Sequence, residues 1–298
     1  MKKTLLNFDG FPLVSIKFFG EKKPKIDLFL NCPHGYAGKD FLRFFPFFKN
    51  LFSKISPDIF EKYLELEHDF CSIELAEKIA ENLAEKGLFV AVIFVNCDRG
   101  ILDANRNEEK CVRRIFDHEK HFSTVEILQK MNRKIADAIL GAAQKNLAKN
   151  GLFLDCHSMW PSSPKIHPSD FENPDQLEKY IFSIISPKNQ HKTRAINFLI
   201  HDHNGIEIAD APAAKIIENA LLARGFATRV DEPYRMNPEY RAGFYYQFVR
   251  GVSFDVPRHF LATRTENRDF YPIWKKDFHK INAVANGFSS GILDFFKK

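Results

Sequence analysis

The chain has 298 residues, 45% of them hydrophobic and 27% charged, with 14 glycines and 15 prolines. That balance belongs to a folded protein able to bury a sizeable core, and it excludes extended disorder and collagen-like repeats. The 43 Lys and Arg against 38 Asp and Glu leave a net charge of +5, far from the concentrated basic stripe of a nucleic-acid binder but compatible with a small anionic ligand.

In chain order, the N-terminal stretch Met1 to Gly20 starts basic, but Asp9 and Pro12 interrupt its apolar residues and no small-residue cleavage site follows, so export is not expected. Short runs rich in β-branched and aromatic residues predict buried strands over Ile26 to Cys32, Leu88 to Asn96, Leu152 to Cys156, Ala195 to Ile200 and Val252 to Val256. Helical spacing of apolar residues predicts helices over Ser72 to Lys86, His121 to Lys149, Ala213 to Arg224 and from Tyr271 to the C-terminus; Gly87 and Gly151 are the stop signals of the first two. Between Phe41 and Phe52, the residues Phe41, Phe44, Phe45, Phe48 and Phe52 share one helical face despite Pro46, which predicts a core-facing helix. Trp160 to Asp175 carries four prolines and is expected to be a loop.

Alternating strands and helices predict an α/β fold with a mostly parallel or mixed central sheet, flanked by helices on both faces, in a single domain spanning 1–298 and without internal repeats. The longest apolar run, Leu88 to Val95, is far below the ~20 residues that cross a bilayer, so no membrane is expected. Five cysteines, odd in number and without a CxxC pair, read as reduced thiols of a cytoplasmic protein.

In open α/β sheets, ligands bind outside the carboxyl ends of the strands. Here those ends read Cys32-Pro33-His34-Gly35, Asp98-Arg99 through Asp103-Ala104-Asn105-Arg106, Asp155-Cys156-His157-Ser158 and Asp255-Val256-Pro257-Arg258. Imidazoles and carboxylates are the ligands that Zn²⁺ accepts, and a catalytic site needs three of them, which makes His34 and His157 candidate ligands of one divalent metal ion. His201-Asp202-His203-Asn204-Gly205 is also rich in donors but carries an Asn-Gly turn signal. Gly287-Phe288-Ser289-Ser290-Gly291 matches GxSxG, yet it lies in a helical stretch with no His and Asp following in triad order.

The order and spacing of Pro33-His34-Gly35, Arg99 through Arg106, Asp155 to Ser158 and Asp255 to Arg258 resemble the N-formylglutamate amidohydrolase family, itself similar in fold to the zinc carboxypeptidases and aspartoacylases. The resemblance runs from Asp27 to Phe260 and implies a metallo-amidohydrolase domain that holds a divalent cation, zinc first, and cleaves a small anionic N-acyl amino acid. It implies His34 and His157 as ligands with a carboxylate as the third. A zinc carboxypeptidase would place a Glu at position 37, which is Ala37 here; the Asp-aromatic pair of the amidohydrolases corresponds to Asp69-Phe70, so Asp69 is the expected ligand, with Glu67, His68 and Asp40 as competitors. Asp69 could equally be the acid of a helix start.

Asp255 stands where related enzymes carry a Glu that acts as general base. Asn105 and Arg106 are expected to hold the substrate α-carboxylate, since a guanidinium can bond a carboxylate twice. Arg99 is expected to polarise the scissile carbonyl, and the two arginine roles can be exchanged. Asp103 and Asp155 would orient an arginine or a histidine. Arg235, Arg241 and Arg250 lie where the family carries a Gly-Gly-aromatic segment ending in a substrate-contacting arginine; Ala242 to Tyr246 matches it partly, and Arg241 is the expected contact. A carboxypeptidase-like or peptidoglycan-trimming amidase and a non-catalytic metal-binding relative are the alternatives.

Overall fold

Residues 2–35, 39–161, 174–185, 194–237, 239–265 and 273–298 are described by the computed structural model. In chain order they form β1 (Lys2–Phe8), β2 (Phe11–Phe19), β3 (Ile26–Cys32), α1 (Lys39–Phe44), α2 (Pro57–Glu67), α3 (Ser72–Ala84), β4 (Val90–Val95), α4 (Phe122–Asn146), β5 (Leu147–Met159) and α5 (Pro174–Ile185). There follow β6 (Ile196–Leu199), α6 (Ala211–Leu222), β7 (Thr228–Val230), α7 (Arg241–Tyr245), β8 (Gly251–Pro257), β9 (Ala262–Thr265), β10 (Ile273–Lys276) and α8 (Phe278–Phe296).

Eight strands make one sheet in the order β1-β2-β4-β3-β5-β8-β6-β7. Its centre, β4-β3-β5-β8, is parallel, whereas β1–β2, β2–β4 and β6–β8 pair antiparallel. The predicted mixed sheet is the one observed. Alternate residues of the central strands face opposite layers, as a pleat requires. Leu28, Leu30, Val90, Val92, Leu152 and Leu154 pack under α3, α6 and α8. Phe29, Ala91, Ile93 and Phe153 pack with the phenylalanines of α1, with α4 and with α5. Burying side chains of this size stabilises by about 1.5–3 kcal/mol each, so both faces must be covered.

Several elements depart from the sequence reading, each for a local reason. The β1–β2 hairpin was not among the predicted strands; Asp9 and Gly10 turn it, both at positive φ (49° and 89°). Pro46 stops α1 at Phe44, and the chain continues as a 3-10 turn over Pro46–Phe52. Phe41, Phe45, Phe48 and Phe52 are buried as expected, but the break leaves Phe44 48% exposed. The helix before Gly151 ends earlier, at Asn146, because Leu147 is already extended and pairs with Ile26; the stop glycine lies inside β5. Helix α6 begins at Ala211, where Asp210 accepts from Ala213 N and Pro212 fits the first turn. The helix predicted from Tyr271 starts only at Phe278, capped by Asp277 and preceded by β10 on β9; Tyr271 is outside the described residues. Of the predicted loop, 162–173 lies outside the described residues and α5 begins at Pro174. All five cysteines are buried free thiols, and no helix among the described residues is long and apolar enough to cross a membrane.

Candidate metal centre

The carboxyl ends of the parallel strands meet at one edge of the sheet. His34 follows β3, Arg99 follows β4, His157 lies in β5 and Asp255 in β8. Register places His157 beside Asp255 and Asn31 beside Asp155. Asp69 arrives from the other side, between α2 and α3, with its backbone N–H donating to the His34 carbonyl at 3.0 Å. That approach needs Gly35: a Cβ there would come within 2.4 Å of the Ile73 side chain and 2.7 Å of Ser72 Oγ at the start of α3. The residue before α3 is Cys71, so Asp69 is not a cap; its side chain is free for the site.

Both histidines are built in the same way. His34 Nε2 donates to Asp103 Oδ1 at 2.8 Å, and His157 Nε2 donates to Asp155 Oδ2 at 2.7 Å. Each ring therefore turns Nδ1 towards Asp69 Oδ2, at 3.6 Å from His34 and 2.8 Å from His157. The carboxylates are held in turn: Asn31 Nδ2 donates to Asp155 Oδ1 at 2.6 Å, and the Asn105 backbone N–H to Asp103 Oδ1 at 3.1 Å. His34 Nδ1 is buried with no hydrogen-bond partner among the described residues. An orphaned imidazole nitrogen, a second imidazole and a carboxylate converge, with all three ligand atoms within 4.8 Å of one another. The residues fit a divalent cation: carboxylate–histidine pairs of this kind fix the tautomer and ring orientation of metal-binding imidazoles.

Charge around the three groups agrees. Burial would raise the Asp69 carboxyl, but hydrogen bonds from His157 and His34 and the Arg99 charge hold it well below the usual carboxylate range. Burial would make His157 less basic, but Asp155 and Asp69 raise it well above its ordinary value. The cluster thus favours a positive charge among its members. Burial raises the Asp255 carboxyl, with the His157 charge pulling the other way.

The competitors for the third ligand are engaged elsewhere. Glu67 is buried against Arg113 (2.7 Å) and Tyr180 Oη (3.0 Å). His68 donates Nε2–H to the Gly35 carbonyl and is pushed down to about 4 by burial. Asp40 is exposed and lies 3.6 Å from Arg43 on the same helix. Ala37 is outside the described residues.

A cavity of about 110 Å³ opens over the centre, and Asp69, Arg99, Asn105, Arg106, His157 and Asp255 all line it. Arg99 donates to Asp69 Oδ1 at 3.1 Å. Asn105 Nδ2 lies 3.3 Å from His157 Nε2, and the Arg106 guanidinium stacks over Tyr240 at 4.4 Å. Arg241 is not among the lining residues: it bonds Asn132 Oδ1 at 2.6 Å and lies 3.7 Å from Glu108, while its backbone N–H bonds the Asn105 carbonyl. It braces Asn105 rather than facing the cavity. His201 pairs with Asp231 at 2.7 Å, and Asp202 accepts from Asn204 N and Ile206 N, so that segment is the expected turn. Gly287 to Gly291 lies within α8.

Sequence reading missed Asn31, Arg113, Arg194, Tyr234 and the role of Arg258. Arg258 is buried, stacks on Trp160 at 4.2 Å and donates to the carbonyls of Leu66 and His68 at the end of α2, which sets the approach of Asp69. Arg113 Nη2 lies 2.7 Å from Glu67 and 3.1 Å from Asp103. Arg113→Met would take the nearest guanidinium from two buried carboxylates and leave them Arg99 at 3.9 and 3.5 Å, with Arg106 3.8 Å from Asp103; the expected loss is about 3 kcal/mol of unfolding free energy in a urea titration. A loss under about 1 kcal/mol would show that the triad contributes little net stability.

No family model matches the chain, and no curated protein matches it. Among solved structures, N-formylglutamate amidohydrolase from Ralstonia eutropha JMP134 superposes with a TM-score of 0.56 at 13% identity, over 95% of this chain and 98% of that one. A gene product of Agrobacterium tumefaciens superposes with a TM-score of 0.54, also at 13% identity, over 95% of this chain and 96% of that one. The chain shares their fold, as the motif resemblance implies.

Proposed function

We propose that this chain is a metal-dependent amidohydrolase that cleaves an N-acyl amino acid, with N-formyl-L-glutamate the first substrate and formate and L-glutamate the products. The observation that carries this reading is the convergence of His34 Nδ1, His157 Nδ1 and Asp69 Oδ2 at a cavity whose lining includes Asp69, His157, Asp255 and arginines.

His34, Asp69 and His157 would hold the ion, and their nitrogen and oxygen donors suit zinc. When bound, a divalent ion lowers the pKa of attacking water and polarises the scissile carbonyl. Asp255 takes the proton released as the water oxygen bonds to the acyl carbon, then delivers it to the amine nitrogen as the C–N bond breaks. Arg106 and Asn105 hold the α-carboxylate, and Tyr240 under the guanidinium keeps its plane fixed. Arg99, anchored on Asp69, faces the oxygen on which negative charge develops. Holding the amide in register this way converts an encounter into a positioned reaction. Five free thiols suit the reducing cytoplasm.

Formate release from N-formyl-L-glutamate, with added Zn²⁺ and with a chelator, tests the reading. Chelator-sensitive release is expected, with N-acetyl and N-succinyl amino acids as comparison substrates. Metal bound without turnover of any of them would favour the non-catalytic alternative.

A further inference from the structure

The cavity over the centre is small, whereas a second cavity of about 680 Å³ adjoins it and shares Arg106, Arg113, Tyr234 and Tyr240 as a common wall. Small-molecule sites usually offer about 300–1,000 Å³, a range that the outer cavity reaches and the inner one does not. Most of the room for a ligand is therefore outside the wall that the reacting group would touch.

The charges of the outer cavity decide what would fill it. Lys110 is ion-paired with Glu239, and Asp231 is taken by His201 and by the backbone N–H groups of Ile200 and His201. Arg114 is exposed, with no hydrogen bond or ion pair among the described residues, and Arg235 makes only a 3.4 Å contact with the Asp202 carbonyl. Against these two cations stand the Glu109 carboxylate and Asp231, whose oxygens are already bonded by His201 and two backbone N–H groups. Two uncommitted guanidiniums on flexible arms, beside Arg106 in the shared wall, form a surface that favours anions.

Resting on the hydrolase reading above, we infer that the preferred substrate carries a second acidic group on the acyl side of the scissile amide: an N-acyl dipeptide whose peptide bond is the one cleaved, with the acidic acyl residue held by Arg114 and Arg235 in the outer cavity. A formyl amino acid would occupy the inner cavity alone. The wall residues Arg106 and Tyr240 then serve both halves, one holding the α-carboxylate and the other packing against the connecting chain.

The test compares N-formyl-L-glutamate, N-acetyl-L-glutamyl-L-glutamate and N-acetyl-L-alanyl-L-glutamate on the zinc-loaded protein. Dissociation constants come from calorimetry and kcat/KM from product release. The glutamyl compound is expected to bind about tenfold tighter than its alanyl counterpart, from two solvent-exposed ion pairs. The Arg114→Ala/Arg235→Ala double variant should erase that difference and leave binding of N-formyl-L-glutamate unchanged. Equal binding of the two dipeptides, or a preference that survives the double variant, overturns the inference. Turnover of N-formyl-L-glutamate without that preference sinks the extension alone. Arginine-dependent binding of the glutamyl compound without hydrolysis of any compound sinks the hydrolase reading and keeps the acidic subsite. Binding of none of the three sinks both.

Discussion

His34→Ala and His157→Ala are each expected to abolish stable metal binding, and with it about a thousandfold or more of the chelator-sensitive hydrolysis proposed for the chain. Both rings present Nδ1 to the same Asp69 oxygen while Nε2 is fixed by a carboxylate. Neither can be replaced by a rotation of its neighbour. Removing one leaves two protein donors where a catalytic site needs three, and the loss should appear in metal content after dialysis as well as in rate. Asp155→Asn is the graded control. It keeps the ring of His157 in place but withdraws the charge behind it, and supporting groups of this kind typically account for about 10–100-fold in affinity or activity. Unchanged metal stoichiometry in both histidine variants would remove the assignment of the centre, whatever the reaction proves to be.

The parts of this site that could be read in the sequence are those tied to strand ends. His34, Arg99, His157 and Asp255 lie at or just after apolar runs, and a parallel sheet brings the carboxyl ends of its central strands together regardless of the loops between. Asp69 was harder: it sits between two helices, α2 was not recognised, and its choice over Glu67 depends on which carboxylate Arg113 neutralises. Arg113 belongs to an irregular segment without apolar periodicity, so nothing local marks it as buried. Asn31 did leave a sign. It and Asp155 are polar residues within the buried stretches of two central strands, and they prove to be register partners joined by a 2.6 Å hydrogen bond. A polar residue at matching places in two buried strands must find its partner across the ladder, because a lone one would be left unsatisfied.

The same logic separates Arg241 from Arg106. Both lie in segments that the motif resemblance marks as substrate-binding, and their backbones are joined where Arg241 N–H meets the Asn105 carbonyl. Only Arg106 reaches the cavity; Arg241 is turned to Asn132, whose Nδ2 donates to the Asp103 carbonyl. Side-chain direction, which spacing does not encode, decides between contact and support.

Asp255→Asn is expected to retain the metal and lower kcat by about 10²–10⁴, the usual contribution of a positioned general base. An amide has nearly the carboxylate's shape, so binding of an inert N-acyl amino acid should change little while proton transfer stops. The paired variant Asp255→Glu probes reach. Asp255 is fixed by the ladder beside His157, and its side chain borders the cavity without a hydrogen bond among the described residues, so the strand itself brings the carboxylate to the centre. The motif resemblance implies a longer Glu at this place, and its extra methylene must here be accommodated in a cavity of about 110 Å³. If the backbone approach compensates for the shorter side chain, Asp255→Glu crowds the site and slows turnover. If Asp255 falls short, the same variant raises kcat with the metal content unchanged. A fully active Asp255→Asn protein would rule out Asp255 as the base and turn attention to Glu67, the other carboxylate of the lining outside the metal centre and its supports, whose ion pair with Arg113 would then have to open during the reaction.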